Sequence, residues 1–182
     1  MKKIILNTTG ILAASIILTG CGIKTNEYNV SADNVMQLKK IENTKISIEN
    51  FESANPGESS KLCRLAETIS TPQGEPFEKY IEEAIKSELK MADMYDENSP
   101  LKISGKVLKV DASTMLGNAY WAIELTVKSS NGNQIKVNTK RDYPSAYLAT
   151  TACNNMATSF SPTVRTLVSD IINHKEFKTL IN

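Results

Sequence analysis

Chemistry in this chain would have to come from few residues. His174 is the single histidine, within Asn173-His174-Lys175-Glu176, and three cysteines accompany it, Cys21, Cys63 and Cys153. A Ser-His-Asp or Cys-His mechanism needs a nucleophile poised against that imidazole. The sequence has no Gly-x-Ser-x-Gly elbow and no C-x-x-C pair. Its 8 glycines are scattered, so no phosphate-cradling loop forms. One His and three Cys offer little for a metal centre, and neither metal nor cofactor is expected. The acids at Glu82-Glu83 and at Asp93, Asp96 and Glu97 read as solvated charges on a helix and a turn. The most site-like run is Arg141-Asp142-Tyr143-Pro144 with Tyr147, since Arg and Tyr favour interfaces. The plainer reading of that run is a strand-exit loop with a local ion pair.

Lys and Arg total 21 and Asp and Glu 20, so the chain lacks the basic footprint of a nucleic-acid binder. With 182 residues, 41% of them hydrophobic, it has enough material for one packed domain.

The first twenty residues belong to a different class. Met1-Lys2-Lys3 precedes Ile4-Ile5-Leu6, a polar break at Asn7-Thr8-Thr9, and an apolar run over 11–18. Two lysines followed by a short apolar stretch have the layout of a secretory signal peptide, and the stretch is too short and interrupted for a membrane span. It ends in Leu18-Thr19-Gly20-Cys21, which resembles the lipobox of bacterial lipoproteins. That resemblance implies cleavage between Gly20 and Cys21 and acylation of Cys21, hence a lipid-bilayer anchor. Gly22 stands where an Asp would signal retention at the inner membrane, so the family rule implies the periplasmic face of the outer membrane.

Removing residues 1–20 takes away Lys2 and Lys3 and no acid, which leaves 162 residues with a net charge of −1. It also leaves Cys63 and Cys153 as an even pair in an exported, oxidising compartment, where a Cys63–Cys153 disulfide is expected. The alternative is two separate buried thiols.

These residues need elements to position them. Residues 21–30 read as the lipidated Cys and a flexible polar tether, and 31–182 as one domain. Ser31 or Asp33 can cap a short helix turn over Val35 to Leu38. Ile46 and Ile48 alternate as in a strand, and Asn55-Pro56-Gly57 marks a turn. Pro76 suits a helix start, and Phe77, Tyr80, Ile81, Ala84, Ile85 and Leu89 make one apolar stripe behind it. Three alternating strands follow around 101–107, 121–127 and 135–137, the last two joined by an Asn131-Gly132 hairpin signal. Residues 150–173 keep Cys153, Met156, Phe160, Val164, Leu167, Val168 and Ile171 on one face. Pro162 there predicts a kink or a restart capped by Ser161. The predicted fold is α+β: a mainly antiparallel sheet of about four strands with two main helices on one face.

This layout resembles small envelope lipoproteins of the YajG-like and LptE-like kinds. The match rests on the lipobox, the early strand Ile46-Ser47-Ile48-Glu49-Asn50-Phe51, the helix around Tyr80-Ile81-Glu82-Glu83-Ala84-Ile85, a β-meander and a C-terminal helix. Apart from the lipobox it is a match of architecture. The expectation is a membrane-anchored, non-enzymatic assembly or accessory factor that binds an envelope protein or glycolipid. Its alternative is an envelope hydrolase or small-ligand carrier with a site near Arg141 and Tyr143.

Overall fold

The computed structural model describes residues 22–41, 43–65 and 67–182. Its elements in chain order are β1 (Ile23–Lys24), α1 (Ala32–Leu38), β2 (Ser47–Ile48), β3 (Glu52–Ser53), β4 (Ser60–Cys63), β5 (Glu67–Ser70), α2 (Phe77–Met91), β6 (Lys102–Met115), β7 (Asn118–Ser129), β8 (Gln134–Asp142), α3 (Ala149–Ile172) and α4 (Phe177–Leu180). The fold is α+β. The larger sheet runs β2-β6-β7-β8, with β3 also beside β6, and a smaller one runs β1-β5-β4.

The meander follows from strict alternation. Trp121, Ile123, Leu125 and Val127 on β7 are buried, as are Ile135 and Val137 opposite them on β8. Their neighbours Glu124, Thr126, Lys136 and Asn138 face outward, so one face of the sheet is apolar and one polar. The stripes of α2 and α3 cover the apolar face. Phe77 from α2 and Phe160 from α3 close on Trp121, with Tyr80 of α2 packed against Phe160, and the Trp121 indole donates to the Met156 carbonyl at 2.9 Å. Edge-to-face and tilted packing of this kind adds to the area term that drives the core.

Five features differ from the sequence expectations. The strands are longer than predicted, because residues 109–115 also pair with 118–124, beyond a β-bulge between Val107 and Lys109. Both sheets are mixed: β2 and β3 run parallel to β6, and β1 runs parallel to β5. Ser161 does not cap a restarted helix. Pro162 lies within an unbroken α3, and the Ser161 hydroxyl donates to the Glu27 carbonyl.

The fourth difference is the segment 22–30, which is not a tether. Thr25 N donates to Ser70 O at 2.8 Å, Tyr80 Oη to Asn26 O at 2.9 Å and Arg165 Nε to Asn29 O at 3.2 Å. Its polar side chains suggested solvent, but its backbone is what the fold uses.

The fifth difference concerns Glu82, expected on a solvated face but buried. One of its oxygens accepts from Phe51 N at 2.9 Å and the other from Lys79 Nζ at 2.6 Å. The carboxylate thereby satisfies the backbone where the chain passes from β2 to β3. Phe51 is seated on Gly105 of β6, and a Cβ at 105 would overlap its ring. Gly105→Ala should therefore lower stability by about 1–3 kcal/mol through overpacking, read as a shift in denaturant midpoint. An unchanged midpoint would show that the ring is free to move.

Candidate functional site

Cys63 ends β4, and Cys153 sits in the first turns of α3. Both are fully buried, with Cα atoms 5.7 Å apart and Sγ atoms at bonding distance, 2.03 Å. The bond fastens the β4–β5 hairpin to α3.

Arg64 follows immediately. With Leu65 it turns the chain from β4 into β5, at φ values of 50° and 56°. Two consecutive non-glycine residues in the left-handed region cost about 1–2 kcal/mol each. The Arg64 guanidinium reaches across to two other segments. Its Nη2 donates to Thr114 O at 3.0 Å, Ala146 O at 2.8 Å and Ser145 Oγ at 3.3 Å. Ser145 Oγ in turn donates to Thr114 O at 2.7 Å.

Three loops therefore converge on one cation: the β4–β5 turn, the β6–β7 turn and the stretch before α3. Each carries large apolar side chains into solvent. Leu65 is 91% exposed, Tyr147 88% and Met115 68%, with Leu62, Leu116 and Leu148 beside them in sequence. These exposed apolar side chains are thus carried by loops that a part-buried polar junction ties together, an arrangement of the kind found at interaction surfaces.

The N-terminal segment arrives at this same end. In the β1–β5 register Ile23 lies opposite Ile69. Gly22 sits so close to Thr68 that a Cβ on it would approach the Thr68 carbonyl oxygen to 2.8 Å. Tracing the chain backward from Ile23 thus runs toward the Leu65 turn.

The residues singled out by sequence are only partly brought together. Tyr147 belongs to the apolar end. Tyr143 supports it, with its hydroxyl donating to Ser113 O at 2.9 Å. Arg141 is exposed and takes no part in the junction. The ion pair at the strand exit joins Asp142 to Lys140 at 3.3 Å, not to Arg141. An open hollow of about 270 Å³ lies beside Asn118, Lys140, Asp142 and Tyr143. His174 occupies the α3–α4 junction at the other end of α3, where its Nδ1 accepts from Glu176 N. Gly20 and Cys21 lie outside the described residues.

Burial pushes the Tyr143 phenol up from 10 to about 12. The folded state holds this proton more tightly than the unfolded chain does. Its contribution to stability is complete below pH 10 and is lost as pH rises toward about 12. An absorbance titration should accordingly show Tyr143 in a late step shared with Tyr80, which burial also pushes up to about 12, and Tyr143→Phe should shrink that step by one tyrosine. Loss of an early step instead would place Tyr143 in solvent.

Glu88 is a second buried acid on α2, one that the sequence reading did not single out. It is 0% exposed, and its Oε1 accepts from Tyr28 Oη at 2.5 Å, Ser31 N at 2.8 Å and Asn34 Nδ2 at 3.3 Å. Burial, then the hydrogen bond to Glu88, drive the Tyr28 phenol far above its ordinary range. Among the described residues no cluster of three or more His, Cys, Asp or Glu is placed to hold a metal, and no helix is long and apolar enough to cross a membrane.

Arg64, Leu65 and Leu116 escaped sequence reading. The available signal was a leucine-bearing turn without glycine directly after a cysteine.

No family model matches the chain, and no curated protein matches it. Among solved structures it is similar to a protein of Xanthomonas campestris assigned to the family DUF330. That likeness has 12% identity and a TM-score of 0.49, over 86% of this chain and 94% of that one. It is also similar to a hypothetical protein of Chlamydia trachomatis, at 12% identity and a TM-score of 0.49, over 76% of this chain and 99% of the other.

Proposed function

We propose that this chain is a lipid-anchored bacterial envelope protein. In this reading it is exported, cut before Cys21, acylated there and held at the periplasmic face of the outer membrane. It acts without catalysis, as an assembly or accessory factor that binds another envelope component. The anchor is supported by Leu18-Thr19-Gly20-Cys21 following a charged, apolar leader. An oxidising compartment suits the Cys63–Cys153 pair.

The observation that carries the binding role is the edge of the larger sheet. The nine residues of β8 pair with β7 on one side only and end the strand order. Such an edge offers backbone donors and acceptors to a partner strand, while its outward lysines, Lys136 and Lys140, discourage indiscriminate pairing.

Two measurements test this. Cys21→Ser should abolish palmitate incorporation and release the protein from membranes, whereas unchanged labelling would refute the anchor. A photo-crosslinker at Asn138 on β8 should capture one reproducible adduct in cells, whose mass separates a protein from a glycolipid. Capture no greater than from a crosslinker at Lys175 would count against the edge.

A further inference from the structure

We infer that the apolar end built on Arg64 is a bilayer-contact surface, which seats the domain end-on on the membrane that holds its anchor. The inference rests on the lipid anchor proposed above and adds a second, non-covalent attachment made by the folded domain itself.

Three observations converge on a lipid surface as the occupant. The first is where the chain enters the fold. Gly22, covalently next to Cys21, lies beside Thr68 on β5, three residues from Leu65. Consecutive Cα atoms are about 3.8 Å apart, so acyl chains on Cys21 start within a few ångströms of Gly22 and leave little slack. The second is that segment 22–30 is hydrogen-bonded into the domain, so the point from which the chain runs back to Cys21 is fixed relative to the apolar end. The third is composition. Leu65 and Leu116 sit on turns, with Leu62 and Met115 near the adjoining strand ends and Leu148 just before α3, where they can enter the acyl boundary ahead of the bulk of the sheets. Tyr147 supplies the amphipathic ring that favours headgroup depth.

The junction beneath suits this task. Arg64 ties the three loops together, and the Cys63–Cys153 bond holds the hairpin to α3, so the tips form one platform. Ordering these loops therefore costs little on docking.

The test uses the full-length, lipidated chain reconstituted in phosphatidylethanolamine and phosphatidylglycerol vesicles, with or without brominated acyl chains. Leu65→Trp and Leu116→Trp place reporters on two different loops, both at exposed positions. Lys175→Trp is the control at the other end of α3, whose 24 residues span about 36 Å. Trp121 is fully buried and gives a constant background.

The expected result is blue-shifted emission from 65 and 116, most of it lost to bromolipids, with no quenching at 175. Equal, weak quenching at all three positions in a chain that floats with the vesicles would overturn the contact and leave the anchor intact. A blue shift without bromolipid quenching would put protein on the tips and overturn it too. A chain that lacks the acyl mass and does not float would overturn the anchor, and with it the bilayer as occupant.

Discussion

Replacing Cys63 and Cys153 together by alanine is expected to remove about 4 kcal/mol of folding stability, as is reduction of the bridge in the wild-type chain. The two positions are 90 residues apart. Cross-linking a loop of that length withdraws a large share of the conformations open to the unfolded chain, which is where most of the effect arises. Domains of this size are stable by roughly 5–15 kcal/mol, so the loss is a large fraction of the whole. It should lower the melting temperature by about 10 °C, at roughly 2–4 °C per kcal/mol for a domain of this size. The effect should also be local. The β4–β5 hairpin loses its tie to α3, so amide exchange should rise around residues 60–70 before the meander is affected. A melting temperature unchanged by reductant would mean that the bond contributes nothing to the fold.

Glu88→Ala should be nearly as damaging, at about 3 kcal/mol or more. The substitution leaves the Tyr28 hydroxyl, the Ser31 amide and the Asn34 amide without their shared acceptor. Asn34 keeps its bond to the Arg165 carbonyl, but Tyr28 and Ser31 lose their acceptor in a part-buried setting, and a shielded donor left unpaired keeps much of its desolvation cost. Glu88→Gln should recover part of the loss, because its carbonyl can take the Oε1 position. Its amide would then occupy the place of Oε2, which is buried without a partner. Chemical denaturation of the two variants orders these effects. A loss below about 1 kcal/mol in Glu88→Ala would mean that the N-terminal segment relaxes to find water. If the segment is held as described, limited proteolysis of Glu88→Ala should begin between residues 22 and 41, ahead of any cut in the meander.

Elements whose side chains carry their own pattern were legible in the sequence. The stripe Phe77, Tyr80, Ile81, Ala84, Ile85, Leu89 is buried residue for residue, as is the series Cys153 to Ile171 on α3. The Asn131-Gly132 hairpin stands between β7 and β8, with Gly132 at positive φ. Ser31 caps α1 by accepting from Asn34 N. Elements that exist through a partner far along the chain were not legible. β1 and β3 are two residues each, too short to show a period, and they are strands only because β5 and β6 offer an edge, whereas β2 stands where Ile46 and Ile48 alternate. Glu82 and Glu88 break the rule that charge on a helix marks the wet face, because each serves backbone or side-chain donors from segments 31 to 60 residues away. The apolar end was missed for a related reason. Leu65, Leu116 and Tyr147 are ordinary loop residues until Arg64 gathers their loops at one place.

The turn at Leu65 sets stability and role against each other. Its backbone adopts a conformation natural to glycine, yet its side chain is almost wholly in solvent and stabilises no core. Leu65→Gly is therefore expected to raise stability, by up to about 1 kcal/mol. Selection for heat resistance alone would drift toward glycine there, and it would discard the most exposed apolar side chain of the docking end in the process. A leucine kept at 65 in related chains would record a demand that folding does not make.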